Sequence, residues 1–191
     1  MLKQKPLIIG ITGAFGSGKS TASDFFVSHG FKKIILSSLL DEEAGKRGYK
    51  KVTRKILQDL GNEWRERYGA GILIKKAFDN AEKDMGRVVI DGIRNIGEIK
   101  ELKKRGNLFL VAILSNRKVR FDRLKKVKRR ESLTWEIFTK LDYRDLGINE
   151  KDKGLQGAIC IALSDIFITN NGSRQEFERE LDGLLKNINE K

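Results

Sequence analysis

The order of apolar and helical segments predicts an α/β fold, a five-stranded parallel sheet between two helical layers. Three observations predict it. Five short runs, 7–12 (LIIGIT), 33–36 (KIIL), 87–91 (RVVID), 108–114 (LFLVAIL) and 165–169 (DIFIT), are β-rich and apolar without strict alternation, as strands buried on both faces require. Helical patterns separate these runs and suit crossover connections between parallel strands. A glycine-rich stretch lies between the first run and the helix after it, where free backbone would cost entropy without a purpose.

That stretch reads Gly13-Ala14-Phe15-Gly16-Ser17-Gly18-Lys19-Ser20-Thr21, the phosphate-cradling motif G-x-x-x-x-G-K-S between a strand and a helix. Backbone N–H groups and the positive end of the helix starting near Gly18 together favour a bound polyphosphate. In this geometry Lys19 reaches the β- and γ-phosphates, and the Ser20 hydroxyl serves Mg²⁺. The expected cofactors are therefore ATP and Mg²⁺. The helix is expected to end near His29-Gly30, where glycine makes a natural stop. The third run ends in Asp91, a carboxylate at a strand terminus near the loop and the expected metal partner of Ser20. The last helix starts at Ser173, with Glu176 at capping-box spacing and Phe177, Leu181, Leu184 and Leu185 as its apolar stripe.

At 191 residues the chain is expected to be one domain, 1–191, with two helical insertions. One Cys and no membrane-length apolar run argue against a disulfide framework or a membrane anchor, and the cytoplasm is the expected compartment. His29 and Cys160 are assigned no chemistry. The net charge is +13, and residues 117–130, RKVRFDRLKKVKRR, hold nine basic residues against one acid. Such a run fits small polyphosphates or, as a second class of partner, nucleic acid.

With these motifs in place the chain resembles P-loop kinases of the nucleoside monophosphate kinase type over nearly its whole length. Asp91-Gly92-Ile93-Arg94 is similar to the Asp-Gly-x-Pro-Arg segment of adenylate kinase-like enzymes, without its proline. The resemblance implies that Arg94 grips the acceptor's phosphate. NRKVRFDRLKKVKRRE resembles the helix leading into the arginine-bearing lid, and DIFITNNGS resembles the strand and turn of dephospho-CoA kinase-like members. The implied fold is the three-layer P-loop NTPase fold, with an acceptor-binding insertion at about 38–85 and a lid-like region at about 117–155. Arg123, Arg129 and Arg130 are the expected donor-phosphate arginines, since guanidinium groups meet phosphate oxygens two at a time. Val119, Leu124 and Val127 are expected to pack inward, with Arg120, Arg123 and Arg130 on another face.

Neither GTPase signature occurs, residues 149–152 being NEKD and Asp91 being followed by GIR. The chain is short for an AAA-type machine and lacks the transporter signature Leu-Ser-Gly-Gly-Gln. After the second strand, where dephospho-CoA kinases carry an Asp-x-Asp-like segment, the sequence has Ser37 and Ser38, and the first acid is Asp41. A hydroxyl acceptor needs a carboxylate there more than a phosphate acceptor does. The expected partner is a small nucleotide acceptor, with Arg54 and Arg65 as further acceptor candidates and Trp64 and Tyr68 read as core or helix-pair residues ahead of a base-stacking role. The alternatives are a dephospho-CoA kinase-like enzyme and a polynucleotide kinase or nucleic-acid-associated NTPase.

Overall fold

The computed structural model describes residues 5–81, 86–126 and 133–190. Five strands, β1 (Leu7–Thr12), β2 (Lys32–Ile35), β3 (Arg87–Asp91), β4 (Asn107–Leu114) and β5 (Ile166–Thr169), form one parallel sheet in the order β2-β3-β1-β4-β5. The chain lays β2 and β3 on one side of β1 and β4 and β5 on the other. The topological reversal therefore falls at β1, and the carboxyl end beside it is where open α/β sheets bind ligands.

Successive side chains point to opposite faces, so the apolar runs of the central strands feed two cores at once. Ile8, Val88, Ile90 and Leu110 face the helices α2 (Leu36–Lys46), α3 (Arg54–Tyr68), α4 (Ile72–Asp79), α5 (Ile96–Arg105) and α8 (Gly157–Ala162). Ile9, Ile11, Val89, Val111 and Ile113 face α1 (Lys19–Ser28) and α9 (Arg174–Asn189). The edge strands β2 and β5 are more exposed than their composition suggests, because each has a neighbour on one side alone. Four strand boundaries differ by one residue from expectation, the first being the start of β2 at Lys32 instead of Lys33. Leu36 begins α2 instead of ending β2, Asn107 joins β4, and Asp165 caps β4 from outside β5, its carboxylate accepting from the Leu110 amide at 2.8 Å.

The capping box of α9 forms as expected, Ser173 Oγ accepting from the Glu176 amide at 3.2 Å. A second one starts α5, with Asn95 and Glu98. Trp64 is buried in the core beside α4, with Lys76 Nζ 4.8 Å from its ring centre, while Tyr68 is exposed. No helix among the described residues is long and apolar enough to cross a membrane.

The basic helix α6 (Arg117–Lys126) packs differently from expectation. Its buried residues are Arg120 and Phe121, with Val119 and Leu124 only half-buried, and Val127 lies outside the described residues. An arginine tolerates that position because α7 (Trp135–Leu146) supplies its counter-charge. Asp142 accepts from Arg120 Nη1 at 2.5 Å and Nη2 at 3.0 Å, and both side chains are almost wholly buried. A small aromatic core of Phe15, Phe121 and Phe138 surrounds the pair and joins α6 and α7 to the loop after β1.

Candidate active site

The loop between β1 and α1 has the backbone its glycines predict. Gly13 and Gly18 sit at φ +144° and +103°, and a Cβ at either would lie 2.5 Å from the Ile113 carbonyl or 2.2 Å from Asn170 Nδ2. Side chains hold the loop's carbonyls. Lys19 Nζ donates to Gly13 O at 2.7 Å and Ala14 O at 2.9 Å, Arg120 Nη1 to Phe15 O at 2.8 Å, and Asn170 Nδ2 to Ser17 O at 2.9 Å. With four of the loop's carbonyls taken in this way, the polarity the loop offers an incoming anion is that of its N–H groups.

Asp91, at the end of β3, is 5% exposed. Its Oδ2 accepts from Ser20 Oγ at 2.9 Å and Ser23 Oγ at 3.1 Å, with Lys33 Nζ at 3.8 Å. Ser20 and Asp91 thus present two oxygens side by side at the foot of the loop. No cluster of three acidic, His or Cys side chains among the described residues could hold a metal by itself. This fits Mg²⁺, which takes one or two protein oxygens and completes its shell with phosphates and water.

Lys19, Ser20, Thr21, Asp91, Arg54, Arg94 and Arg123 line one cleft of ≈ 560 Å³. Arg94 follows β3, and its position is fixed from behind by Glu98, whose Oε2 accepts from the Arg94 amide at 2.8 Å. Glu98 is fully buried and its Oε1 also accepts from Arg65 Nε at 3.0 Å and Nη2 at 2.8 Å. Arg65 therefore braces the wall beneath Arg94. Arg54 lies over the Phe15 ring, 4.3 Å from its centre, and pairs with Asp145 of α7. Arg123 reaches the cleft from α6 with both terminal nitrogens engaged, Nη1 donating to Asn170 O at 2.7 Å and Nη2 to Gly172 O at 3.0 Å. Arg129 and Arg130 lie outside the described residues.

Four residues of this site carry no signal in the loop motif: Gln58, Asp142, Asp145 and Asn170. On α7 the buried set is Phe138, Leu141, Asp142 and Asp145, so two acids occupy positions on its apolar stripe. Carboxylates on such a stripe require cationic partners. That pattern was the available clue to Asp142 and Asp145. Burial alone would raise Asp145, but the charges of Arg54, Arg94 and Lys19 and the hydrogen bond from Gln58 hold it well below the usual carboxylate range.

Lys19 is shifted in the opposite sense to most paired lysines. Burial first, and then the Arg94 and Arg54 guanidinium groups, bring its ammonium from 10.5 down to about 7, with Asp145 and Asp91 offsetting only part of this. A polyphosphate beside Lys19 favours the charged form, so the bound state titrates higher than the free one. Affinity for a polyphosphate from this group is then fully present below pH 7 and falls as pH rises through about 7 towards the bound value. Calorimetry at pH 8 in buffers of different ionisation enthalpy is expected to show net proton uptake on ATP binding, approaching one proton. Uptake that vanishes at pH 8 contradicts the shifted lysine.

No family model matches the chain. It is 35% identical over 183 residues to a UPF0200 protein from Sulfurisphaera tokodaii, covering 95% of this chain and 97% of that one. It is 31% identical over 186 residues to a UPF0200 protein from Methanocaldococcus jannaschii, covering 95% and 90%. Among solved structures, TT1252 from Thermus thermophilus aligns with a TM-score of 0.58 at 19% identity over 96% of this chain and 98% of that one. Shikimate kinase from Acinetobacter baumannii in complex with shikimate aligns with a TM-score of 0.58 at 17% identity, over 96% and 94%. These likenesses extend to the five-stranded parallel sheet and its flanking helices. By its curated relatives, the chain belongs to the UPF0200 family.

Proposed function

We propose that this protein is an ATP-dependent phosphotransferase that moves the γ-phosphate to a small phosphorylated acceptor, a nucleoside or deoxynucleoside monophosphate being the best fit. The observation that carries the reading is one cleft that joins Lys19 and the Ser20–Asp91 pair to two arginines, Arg54 and Arg94, from separate elements. The loop and Lys19 hold the donor's β- and γ-phosphates, while Arg94 and Arg54 receive the acceptor's anion from the facing wall. Ser20 and Asp91 would hold Mg²⁺, which would neutralise the charge that develops on the phosphates. Phosphoryl transfer asks for positioned positive charge and little covalent chemistry, and this cleft supplies that charge from three elements.

Two details favour a phosphate acceptor over a hydroxyl. Ser37, not an acid, stands on the cleft wall after β2. Asp145, the carboxylate paired with Arg54 and Arg94, is held so far below its ordinary range that it is a weak proton acceptor. The nucleic-acid reading finds less support, since Arg117, Arg120 and Arg123 of the basic run are engaged with Asp142, Phe15 O and the 170–172 turn.

Steady-state kinetics with each substrate varied in turn test this division of labour. Arg94→Ala is expected to raise the acceptor's KM by about 10-fold or more with a much smaller change in the KM for ATP. Arg123→Ala is expected to lower kcat with every acceptor, because the turn it fastens also holds Ser17 through Asn170. Equal effects of Arg94→Ala on both substrates contradict the acceptor role.

A further inference from the structure

The acceptor side of the cleft narrows into a cavity of ≈ 20 Å³, room for little more than one water, lined by Gln58, Arg65 and Arg94 among others. Asp145 closes it. The carboxylate is 3% exposed, its Oδ2 taking Arg54 Nη2 and lying 3.6 Å from Arg94 Nε, and its Oδ1 taking Gln58 Nε2 at 2.6 Å. Gln58 Nε2 also donates to Leu141 O at 3.3 Å, so its nitrogen is fixed between two acceptors and its oxygen must face the other way. Gln58 Oε1 and Arg94 Nε are both buried with no hydrogen-bond partner among the described residues. One carboxylate is therefore shared by two guanidinium groups, and the hydrogen-bonding capacity around it is incompletely used.

We infer that Asp145 occupies the acceptor's anion subsite in the free protein and selects a phosphate dianion over a carboxylate as the group that replaces it. This rests on the phosphoryl-acceptor reading above. A cavity of ≈ 20 Å³ admits no oxyanion as it stands, and an anion that takes Arg54 Nη2 and Arg94 Nε takes them from the Asp145 carboxylate. An acceptor carboxylate would exchange like for like, gaining no charge, and would compete with a group tethered at high effective concentration. A phosphate monoester brings a charge of about −1.5 to −2 and three acceptor oxygens, which suit two guanidinium groups where Asp145 suits them with one charge. Asp145 acts in this way as a specificity-determining residue that excludes carboxylic acids.

The test uses the full chain saturated with Mg²⁺ and the β,γ-imido analogue of ATP, so that the phosphate loop is filled. Inorganic phosphate and acetate are titrated by calorimetry. The unaltered protein is expected to bind phosphate and not acetate. Asp145→Asn is expected to bind phosphate about 10-fold tighter and to acquire measurable acetate binding, both gains disappearing when Arg94→Ala is added. Equal or weaker phosphate binding by folded Asp145→Asn overturns the inference and leaves the phosphate-acceptor reading standing. Phosphate binding absent from both forms overturns the two together. Should Asp145→Asn fail to fold, Asp145→Ser takes its place.

Discussion

Lys19→Ala is expected to lower ATP turnover by about 10²-fold or more, the usual consequence of removing one preorganised charge from a developing phosphoryl transition state. The free protein supplies the reason for expecting so large an effect. Lys19 is only 8% exposed and is held in place by Gly13 O and Ala14 O. A charge so placed needs little reorganisation to meet a phosphate. The same variant is expected to leave the fold intact, because the ammonium lies among Arg94 and Arg54 and its burial already lowers it to about 7. Removing it relieves like-charge repulsion while forfeiting two hydrogen bonds. Turnover measured by ADP release, alongside a thermal melt, checks both halves. Normal turnover would remove the loop from the chemistry, and a collapsed melt would make Lys19 a structural residue.

The largest stability effect is expected from Asp142→Ala. The carboxylate is fully buried and receives Arg120 through two nitrogens, with Arg117 Nε at 3.3 Å. Its loss leaves the Arg120 guanidinium, itself 3% exposed, without a counter-charge inside an aromatic core. Breaking one side of such a pair costs about 3–5 kcal/mol, which for a chain of this size lowers Tm by roughly 10 °C. Because Arg120 also donates to Phe15 O, the same change loosens the phosphate loop and should weaken ATP binding beyond its effect on the melt. A melt within about 2 °C of the unaltered protein would contradict the buried-pair account.

The sheet was legible in the sequence because its central strands are buried on both faces, and such strands announce themselves as short apolar runs. The loop was legible for a different reason, since φ values of +144° and +103° at Gly13 and Gly18 leave glycine little competition. Asp91 could be placed because a strand terminus next to the loop constrains it. The roles of Arg120 and Arg65 were not legible. From the sequence Arg120 reads as part of an exposed basic face and Arg65 as an acceptor candidate, and each becomes buried only through a carboxylate distant in sequence, Asp142 for the one and Glu98 for the other. Asp145 was hidden for the same reason, since Gln58 and Arg54 reach it from α3 across about ninety residues of chain. Composition reveals which charges exist, and tertiary pairing decides which of them remain available to a ligand.

The most direct test of the central claim is a coupled ADP-release screen in the presence of Mg²⁺ and ATP over nucleoside monophosphates, deoxynucleoside monophosphates and dephospho-CoA, each paired with its unphosphorylated counterpart where one exists. The account predicts that a phosphate-bearing nucleotide stimulates ADP release, that its unphosphorylated counterpart does not, and that Arg94→Ala removes most of the stimulation. Stimulation by an unphosphorylated nucleoside as strong as by its monophosphate would contradict it.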